Sequence, residues 1–495
     1  MKKLLLTILL LIFASKSFAK SYDLEIKKSE QKITINDSIP GPTLHFEEGE
    51  DVEIRVKNSM NETTSIHWHG ILLDGKMDGV PGLNGFNGIA PSKISGEIFT
   101  YKFKIRQSGT YWYHSHSNLQ EQQGAYGALV ITAKREVNKF DKEFVILLSD
   151  STAENPETIL NNLKIDSGYY NYNRRTLFTF FSDAKKDGFF STLQNYLEWG
   201  DMRMDPTDLS DVSHYTFLIN GKKDWSEIFK KGEKIKLRFI NAAAMTIFDV
   251  SIPGLKMKFI EADGQKIKPV IADEFRIGAA ETYDVIVEPK ENKAYNILAE
   301  SLDRTGYVSA TLAPKKGMVA KLPKLRPRAQ LTMADMKMEG MDHGMAESGW
   351  NNRGTPEGKK ALEYSDLISF TPQKDLRKPT REIEFKFGGT MNRYIWTING
   401  EKFPKPFHLK FGERVRLKFV NETMMAHPIH LHGMFMQMEN GREMKWMPNK
   451  HTVLVPPAQT VSMLLTADEA GEWAFHCHLL YHMASGMMTS VTVEK

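Results

Sequence analysis

The sequence predicts an all-β protein made of three β-sandwich domains. Short runs of alternating or β-branched residues, broken by Gly, Pro and Asn, predict strands at 52–56, 101–105 and 128–132. A chain of 495 residues has room for three domains of about 150 residues each. Helical signals are sparse, and residues 188–199 are the best candidate for a short helix.

A repeated motif supports the division into three domains. Each copy has Ile-Asn, then Gly-Glu, and then an Asn nine residues after that glycine. The copies begin at Ile35, Ile219 and Ile398, and an alternating strand lies between the Glu and the final Asn of each. Equal offsets in three copies indicate three domains derived from one ancestral unit.

The repeat and the composition together predict the domain boundaries. Residues 150–212 are polar and aromatic, and they are interpreted as an insertion or long linker. The predicted segments are a signal peptide at 1–19, a first domain at 20–140, a linker or insertion with the second domain at 141–320, a Met-rich linker at 321–362, and a third domain at 363–495.

The N-terminus predicts export. Lys2 and Lys3 precede an apolar run at 4–13, and small residues follow at the cleavage positions, as in a secretory signal peptide. No later apolar run is long enough for a membrane span, so we expect a soluble periplasmic protein, and a monomer. Without residues 1–19 the chain has 62 basic and 61 acidic residues, a balance that argues against nucleic acid as a partner.

One stretch near the C-terminus has the spacing of a metal site. His476-Cys477-His478 contains the only cysteine of the chain, and His482 and Met487 follow. Histidines with one thiolate and a weak axial methionine are typical of a blue-copper electron-transfer site. A single cysteine also excludes an internal disulfide, and a metal would protect the free thiol after export.

Histidine pairs indicate a second metal site. Four His-x-His pairs occur, and in a strand both members of a pair point to the same face. Two pairs lie in the first domain and two in the third, so together they offer a copper cluster at a domain interface. The second repeat lacks histidines and is interpreted as a structural spacer. Four histidines that stand alone are interpreted as ordinary residues: His45, His214, His408 and His451.

These motifs resemble those of the multicopper oxidases over nearly the whole mature chain. The motifs are His-Trp-His-Gly at 67–70, Tyr-Trp-Tyr-His-Ser-His at 111–116, His-Pro-Ile-His-Leu-His-Gly at 427–433, and His-Cys-His at 476–478 with the His and Met downstream. The Met-rich linker and the His-Cys-His-Leu-Leu-Tyr-His-Met stretch are most similar to the periplasmic copper-resistance protein A group. The resemblance implies three cupredoxin-like Greek-key domains.

The resemblance also implies the copper ligands. It implies four copper ions, one of type 1, one of type 2 and two of type 3. The type 1 ligands are His427, Cys477, His482 and the axial Met487; the type 2 ligands are His67 and His430; and the type 3 ligands are His69, His114, His116, His432, His476 and His478.

The implied reaction is one-electron oxidation of a substrate at the type 1 site, coupled to reduction of O₂ to water. Cys477 would accept the electron, and Asp78 occupies the place of a carboxylate that relays protons in the family. Asp78-Gly79 is equally well read as a turn. Some copper-efflux relatives carry a Glu after the last type 1 histidine, where this chain has Met483, and that leaves one proton route open.

A methionine cluster suggests the substrate. Thioethers select Cu(I), and soft and acidic ligands alternate where a packed core is not expected, so the cluster predicts a Cu(I) substrate site. A disordered linker is the alternative. The residues are Met333, Met336, Met338, Met341, His343 and Met345.

Three functions remain open from the sequence. The first is a Cu(I) oxidase in copper resistance that also oxidises phenols and other small reducing substrates, with periplasmic copper carriers as possible partners. The second is a general laccase or ferroxidase. The third is a copper-sequestering protein in which the oxidase centre matters little.

Overall fold

The computed structural model describes residues 20–92, 96–172, 176–201, 208–328, 331, 349–351, 353–390 and 393–495. Strands dominate these residues and form six sheets, two for each repeat, which confirms the all-β prediction. The predicted signal peptide and the Met-rich cluster at 333–345 lie outside the described residues. In the described part of the chain, no helix combines the length and the apolar composition needed to cross a membrane.

The first domain packs two four-stranded sheets, with strand orders β2-β1-β4-β6 and β3-β8-β7-β5. Strand β5 is short and pairs antiparallel with β7, which places His67 opposite His114. The elements are β1 (Lys20–Ser29), β2 (Lys32–Ile35), β3 (Gly41–Glu47), β4 (Asp51–Asn58), β5 (His67–His69), β6 (Phe99–Lys104), β7 (Gly109–His114), β8 (Tyr126–Thr132), the 3₁₀ helix Gly75–Met77 and helix α1 (Gln120–Gln123).

The second domain packs two six-stranded sheets, β10-β9-β12-β17-β14-β15 and β11-β19-β18-β13-β16-β20. Its last strand, β20, comes from the end of the predicted linker. The strands are β9 (Lys142–Ser151), β10 (Thr216–Ile219), β11 (Ser226–Ile228), β12 (Ile235–Asn241), β13 (Phe248–Ser251), β14 (Met257–Ala262), β15 (Gln265–Ala272), β16 (Glu274–Ile277), β17 (Thr282–Val287), β18 (Tyr295–Ser301), β19 (Tyr307–Ala313) and β20 (Ala361–Leu362).

The third domain packs the sheets β22-β21-β24-β29-β26-β27 and β23-β31-β30-β25-β28. The strands are β21 (Arg381–Thr390), β22 (Ile395–Ile398), β23 (Phe407–Lys410), β24 (Arg414–Asn421), β25 (His427–Leu431), β26 (Met436–Met438), β27 (Asn449–Lys450), β28 (Thr452–Val455), β29 (Thr460–Thr466), β30 (Gly471–Cys477) and β31 (Met488–Glu494). The remaining elements are the 3₁₀ helices Tyr364–Asp366 and Met444–Trp446 and helix α5 (Leu480–Ala484).

The residues between β9 and β10 form the insertion, and they are more helical than the sequence suggested. Because β9 pairs with β10 and β12, the insertion interrupts the second domain. The helix predicted at 188–199 is confirmed as the last of three: α2 (Pro156–Ile165), α3 (Leu177–Asp187) and α4 (Phe189–Asp201). Asn155 caps α2 by accepting a hydrogen bond from the Glu157 N–H, and Pro156 occupies its first turn.

The final Asn of each repeat explains why the spacing between the motif residues is the same in all three domains. Asn58, Asn241 and Asn421 are fully buried. Each donates its side-chain N–H groups to backbone carbonyls of the loop that follows and of a neighbouring segment; Asn241, for example, donates to the carbonyls of Thr246 and Ile277. An amide at this point satisfies carbonyls that burial would otherwise leave unpaired, so the same residue recurs in all three domains.

One continuous apolar core joins the first and third domains. Trp68 and Tyr101 of the first domain belong to the same buried cluster as Trp473 and Phe475 of the third. The second domain has a core of its own. At the boundary of the two domains, the rings of His69 on β5 and His430 on β25 stack with their centroids 3.8 Å apart.

A buried ion cluster connects the second and third domains. Lys450 Nζ lies 2.9 Å from a carboxylate oxygen of Glu281 and 3.1 Å from one of Asp263, and all three side chains are buried. Burial acts to lower the pKa of Lys450, but the two carboxylates outweigh it and raise the pKa. The charge of Lys450 therefore offsets two buried carboxylates at the domain interface.

Replacing Lys450 with Ala should lower the free energy of unfolding by roughly 3–5 kcal/mol, because Asp263 and Glu281 would lose their cationic partner in a buried site. Urea denaturation of the full chain measures the change. Lys445→Ala is the matched control, since Lys445 is exposed and its ion pair is with an exposed carboxylate. Equal free energies of unfolding for the two variants would contradict the role of Lys450 as the cationic partner of the two buried carboxylates.

Candidate metal centre

The first candidate site is a triangle of His427, Cys477 and His482. The Nδ1 atoms of the two histidines are 3.1 Å apart, and Cys477 Sγ lies 3.6 and 3.7 Å from them. The centre of such a triangle is about 2 Å from each vertex, close to the length of a metal–nitrogen bond. Two imidazoles and one thiolate in a trigonal plane are the donor set of a blue-copper site.

Hydrogen bonds on the opposite ring nitrogens fix both histidines. Thr423 Oγ1 lies 2.8 Å from His427 Nε2, and His482 Nε2 lies 2.7 Å from a carboxylate oxygen of Asp211. Trp396 stacks on the His482 ring at 3.8 Å. The Asp211 oxygen also accepts a hydrogen bond from the Tyr394 hydroxyl. The role of Asp211 was not predicted, because an isolated Asp in the insertion carries no motif.

The thiol of Cys477 needs a cation to ionise. Burial raises the pKa of Cys477 above that of an ordinary thiol, so a bound metal would supply the charge that stabilises the thiolate. Met487 is fully buried in the same core, and its carbonyl accepts a hydrogen bond from the Cys477 N–H. The axial role of Met487 stays a prediction.

The histidine pairs form two triads at the interface of the first and third domains. His69, His114 and His478 form one, and His116, His432 and His476 form the other. Within each triad, ring nitrogens from the three residues lie within 4.8 Å of one another. Each triad has the number of imidazoles expected for one ion of the type 3 pair.

A third group brings together the remaining two histidines. His67 and His430 lie within the same 4.8 Å limit of each other and of His432. Their Nδ1 atoms contact backbone carbonyls: that of Asp78 at 2.9 Å and that of His451 at 2.8 Å. Both Nε2 atoms are buried without a hydrogen-bond partner, as expected for atoms that bind metal.

The position of His432 and His476 is hard to explain without a metal. Their Nδ1 atoms lie 2.9 Å from acceptors, the Asp78 carboxylate and the Cys477 carbonyl respectively, so each Nδ1 carries the ring proton. Their Nε2 atoms then both carry lone pairs, yet they face each other at 3.1 Å. A cation between the two nitrogens turns this repulsion into binding, and copper suits imidazole ligands.

Two buried carboxylates support the cluster from outside. One Asp78 oxygen contacts His432 Nδ1, and the other lies 3.3 Å from His67 Nδ1. Glu121 lies 2.9 Å from His114 Nδ1, and burial raises its pKa well above the usual range. Carboxylates behind metal-bound histidines fix the ring orientation. Glu121 was not predicted; its only sequence signal is its closeness to the His-x-His pair at 114–116.

Burial also affects the histidines themselves. It lowers the pKa of His476 to about 4 and those of His69, His114 and His432 well below the ordinary value. Neutral imidazoles are the form that binds metal ions. The interface therefore keeps its ligands ready for metal at neutral pH.

The four histidines interpreted as ordinary residues, which lie outside the His-x-His pairs and the type 1 motif, fall into two groups, three exposed and one buried. His45, His214 and His408 are exposed, which fits their interpretation as ordinary residues. His451 differs from these three residues. Its side chain is buried, and its ring lies with those of His69 and His430. His451 forms no His-x-His pair, so no motif marks it, and only the fold brings it to the cluster.

Cys477 connects the two kinds of site. It lies at the end of β30, and its chain neighbours His476 and His478 belong to different histidine triads. Strand β25 pairs with β30 so that His430 lies opposite His476 and Ile429 opposite Cys477. Alternation along the strand thus sends the thiol into the third-domain core and the flanking imidazoles to the interface.

The three paired-sheet domains, the His₂Cys triangle and the eight-histidine interface define a copper-binding oxidase architecture. Multicopper oxidase family profiles match the chain at residues 19–136, 169–317 and 377–495. The chain belongs to the multicopper oxidase family.

Curated relatives and solved structures extend the comparison. The chain is 44% identical to copper resistance protein A of Escherichia coli over 94% of this chain and 90% of that protein. It is 32% identical to the multicopper oxidase MmcO of Mycobacterium tuberculosis, over 92% and 82% of the two chains. The structure of Fet3p, a multicopper oxidase that functions in iron import, superposes with a TM-score of 0.72 at 18% identity, covering 96% and 90% of the chains, and indicates the shared fold.

The copper-free protein should lose stability as the pH falls from about 6.5 to about 4. In the unfolded chain His476 titrates near its ordinary pKa of 6.5, but burial lowers its folded pKa to about 4, so the unfolded state binds more protons in this window. The loss is at most about 1.4 kcal/mol per pH unit for one such group. Urea denaturation of copper-free protein at a series of pH values measures the slope.

His408→Ala is the control. It should leave the change of the unfolding free energy with pH as it is in the wild type, because the His408 side chain is exposed. A copper-free protein with the same unfolding free energy at pH 7 and pH 5 would contradict the burial of neutral imidazoles at the interface.

Proposed function

We propose that this protein is a Cu(I)-oxidising multicopper oxidase of copper resistance that reduces O₂ to water and also oxidises small phenols. The single observation that carries the proposal is the junction at Cys477: a thiolate ligand in the His₂Cys triangle, with a ligand of each type 3 triad on either side. The similarity to copper resistance protein A supports the role in copper resistance.

Copper at these sites would supply one-electron oxidation at the triangle and O₂ reduction at the interface. The chain supplies the connection between them: Cys477 is bonded through the backbone to His476 and His478, so electrons have a short covalent route. Asp211 and Thr423 hold the type 1 histidines by their outer nitrogens, and the apolar surroundings of Cys477 exclude water from the thiolate.

Asp78 is proposed to relay protons to the interface. It is buried and ends the 3₁₀ helix Gly75–Met77, and its two oxygens face the Nδ1 atoms of His432 and His67. Gly79 makes this possible: it has a φ of +80°, and a Cβ there would lie 1.8 Å from the carbonyl oxygen of Ile66. The turn at Asp78-Gly79 therefore places the Asp78 carboxylate next to the two proposed copper ligands His432 and His67.

The entrance for Cu(I) is proposed beside the type 1 histidine His482. Asp211, which hydrogen-bonds to His482, lies three residues after Asp208. Asp208 pairs at 3.0 Å with Arg328, which also stacks on the Tyr172 ring at 4.0 Å. Arg328 lies five residues before Met333, the first methionine of the cluster, in the sequence. Met333, Met336, Met338, Met341, His343 and Met345 are the proposed Cu(I) ligands.

Residues 1–19 are proposed to export the chain to the periplasm, where the mature protein would act as a monomer and accept Cu(I) from periplasmic carriers. The charge pattern at the N-terminus and the resemblance to copper resistance protein A support this location.

Cys477→Ser should abolish O₂ uptake with Cu(I) and with a phenol and remove the blue absorption, because the thiolate is the electron-accepting ligand. Oxygen-electrode assays and copper content of the purified full chain measure both effects. Activity that survives in Cys477→Ser would contradict the oxidase mechanism. Tight copper binding by the wild type with little turnover would favour sequestration.

Deleting residues 333–345 should raise the KM for Cu(I) at least several-fold and leave phenol oxidation unchanged, because thioethers select Cu(I). Met318→Ser is the control, since it removes a partly exposed methionine outside the cluster. Equal Cu(I) kinetics in the deletion and the wild type would contradict the methionine site and leave the oxidase assignment intact. Equal losses for both substrates would favour a general laccase whose entrance is damaged.

Asp78→Asn should slow O₂ reduction by roughly 10²-fold or more, because the amide still accepts from His432 and cannot carry a proton. Bleaching of the blue absorption by substrate without O₂ should stay fast, and its return on adding O₂ should slow. Asp74→Asn, in the same loop and exposed, is the control. Fast return of the colour in Asp78→Asn would exclude the relay.

A further inference from the structure

His451 is fixed in place from two sides. Its Nδ1 lies 3.0 Å from Thr452 Oγ1, and its backbone N–H donates to a carboxylate oxygen of Asp263 in the second domain at 3.2 Å. Its Nε2 is buried and has no hydrogen-bond partner. A side chain held this firmly with one free nitrogen points to a specific partner for that nitrogen.

His69 also has ring nitrogens without a hydrogen-bond partner. Both nitrogens of its ring are buried and lack such a partner. His67, His114 and His430 each use Nδ1 for a carbonyl or carboxylate and keep Nε2 for metal. One nitrogen of His69 serves its triad with His114 and His478. The second nitrogen remains without the partner that metal-bound histidines almost always have.

The two unpaired groups lie side by side. The rings of His69 and His451 are 4.8 Å apart between centroids and inclined by 77°. A ring nitrogen of each lies within 4.8 Å of the other. Gly70 leaves the space for this approach: a Cβ there would lie 2.5 Å from His451 Nε2. The glycine of the His-Trp-His-Gly motif thus admits the His451 ring next to His69.

We propose that His451 is a positioning residue of the interface copper cluster, whose Nε2 pairs through one bridging water with the ring nitrogen of His69 that does not face metal. A neutral imidazole has one N–H and one lone-pair nitrogen, so two such rings satisfy each other. The pairing holds the His69 ring in the orientation that its triad requires. Through Asp263, the second domain then takes part in building a copper site to which it contributes no ligand.

This inference rests on the copper assignment of the proposed function, and three variants of the full chain test it. His451→Leu should weaken copper binding at the type 3 pair by roughly 10–100-fold, the range for loss of such a supporting partner. His451→Gln should restore most of it, because the amide can replace Nε2 in the hydrogen bond. His408→Leu, at an exposed site, should match the wild type.

The readouts are copper content, the near-ultraviolet absorption of the type 3 pair and the electron paramagnetic resonance spectrum of the type 2 copper. The blue absorption of the Cys477 site should be unchanged in all variants and serves as the internal standard for folding. An undiminished type 3 band in His451→Leu, or a Gln variant as impaired as Leu, would overturn the proposal. Loss of one nitrogen coupling from the type 2 spectrum would overturn it in favour of direct ligation.

The outcome separates the two proposals. A wild-type chain that takes up copper and consumes O₂, with His451→Leu unchanged, overturns only the role of His451. A wild-type chain that takes up no copper overturns the proposed function and the role of His451 with it.

Discussion

The burial of many imidazoles between two domains is the constraint on which the rest of the structure depends. His432 and His476 face each other with lone pairs 3.1 Å apart, and buried nitrogens of His67, His69 and His430 lack hydrogen bonds. Such an interface costs free energy in a protein without metal, since polar atoms lose water and gain no partner. The shared apolar core of the first and third domains holds the two halves together against this cost. Copper offsets it at the site itself.

The second domain contributes more than a spacer would. Asp263 and Glu281 hold Lys450 at the edge of the interface, and Asp263 also fixes the backbone beside His451. The insertion within this domain provides Asp211, which contacts His482 of the His₂Cys triangle. The second domain, whose described residues include no member of the histidine triads, therefore supports both candidate copper sites through buried carboxylates.

The grouping of these side chains could be predicted from the sequence, because four His-x-His pairs in strands each present two imidazoles to one face. The assignment of each residue to a particular copper ion follows from the family resemblance and stays a prediction. The three-domain repeat could also be recognised from the sequence, because Asn58, Asn241 and Asn421 each donate hydrogen bonds to equivalent backbone carbonyls in their own domains. Glu121, Asp211 and His451 could not be predicted, because each reaches the site through a tertiary contact with a residue distant in the chain or through burial. Of the three helices of the insertion, only the last was predicted. Helix α2 buries Ile159, Leu160 and Leu163 on one face, and this spacing is a helical signal in the sequence.

The central claim is that copper fills the space between these unpaired nitrogens. Crystallographic anomalous differences collected at the copper absorption edge from the copper-loaded full chain test it most directly. The account predicts one peak inside the triangle of His427, Cys477 and His482 and the remaining peaks among the eight interface histidines, with one in each type 3 triad. A map with copper only at the triangle, or with the interface histidines free of metal, would contradict it.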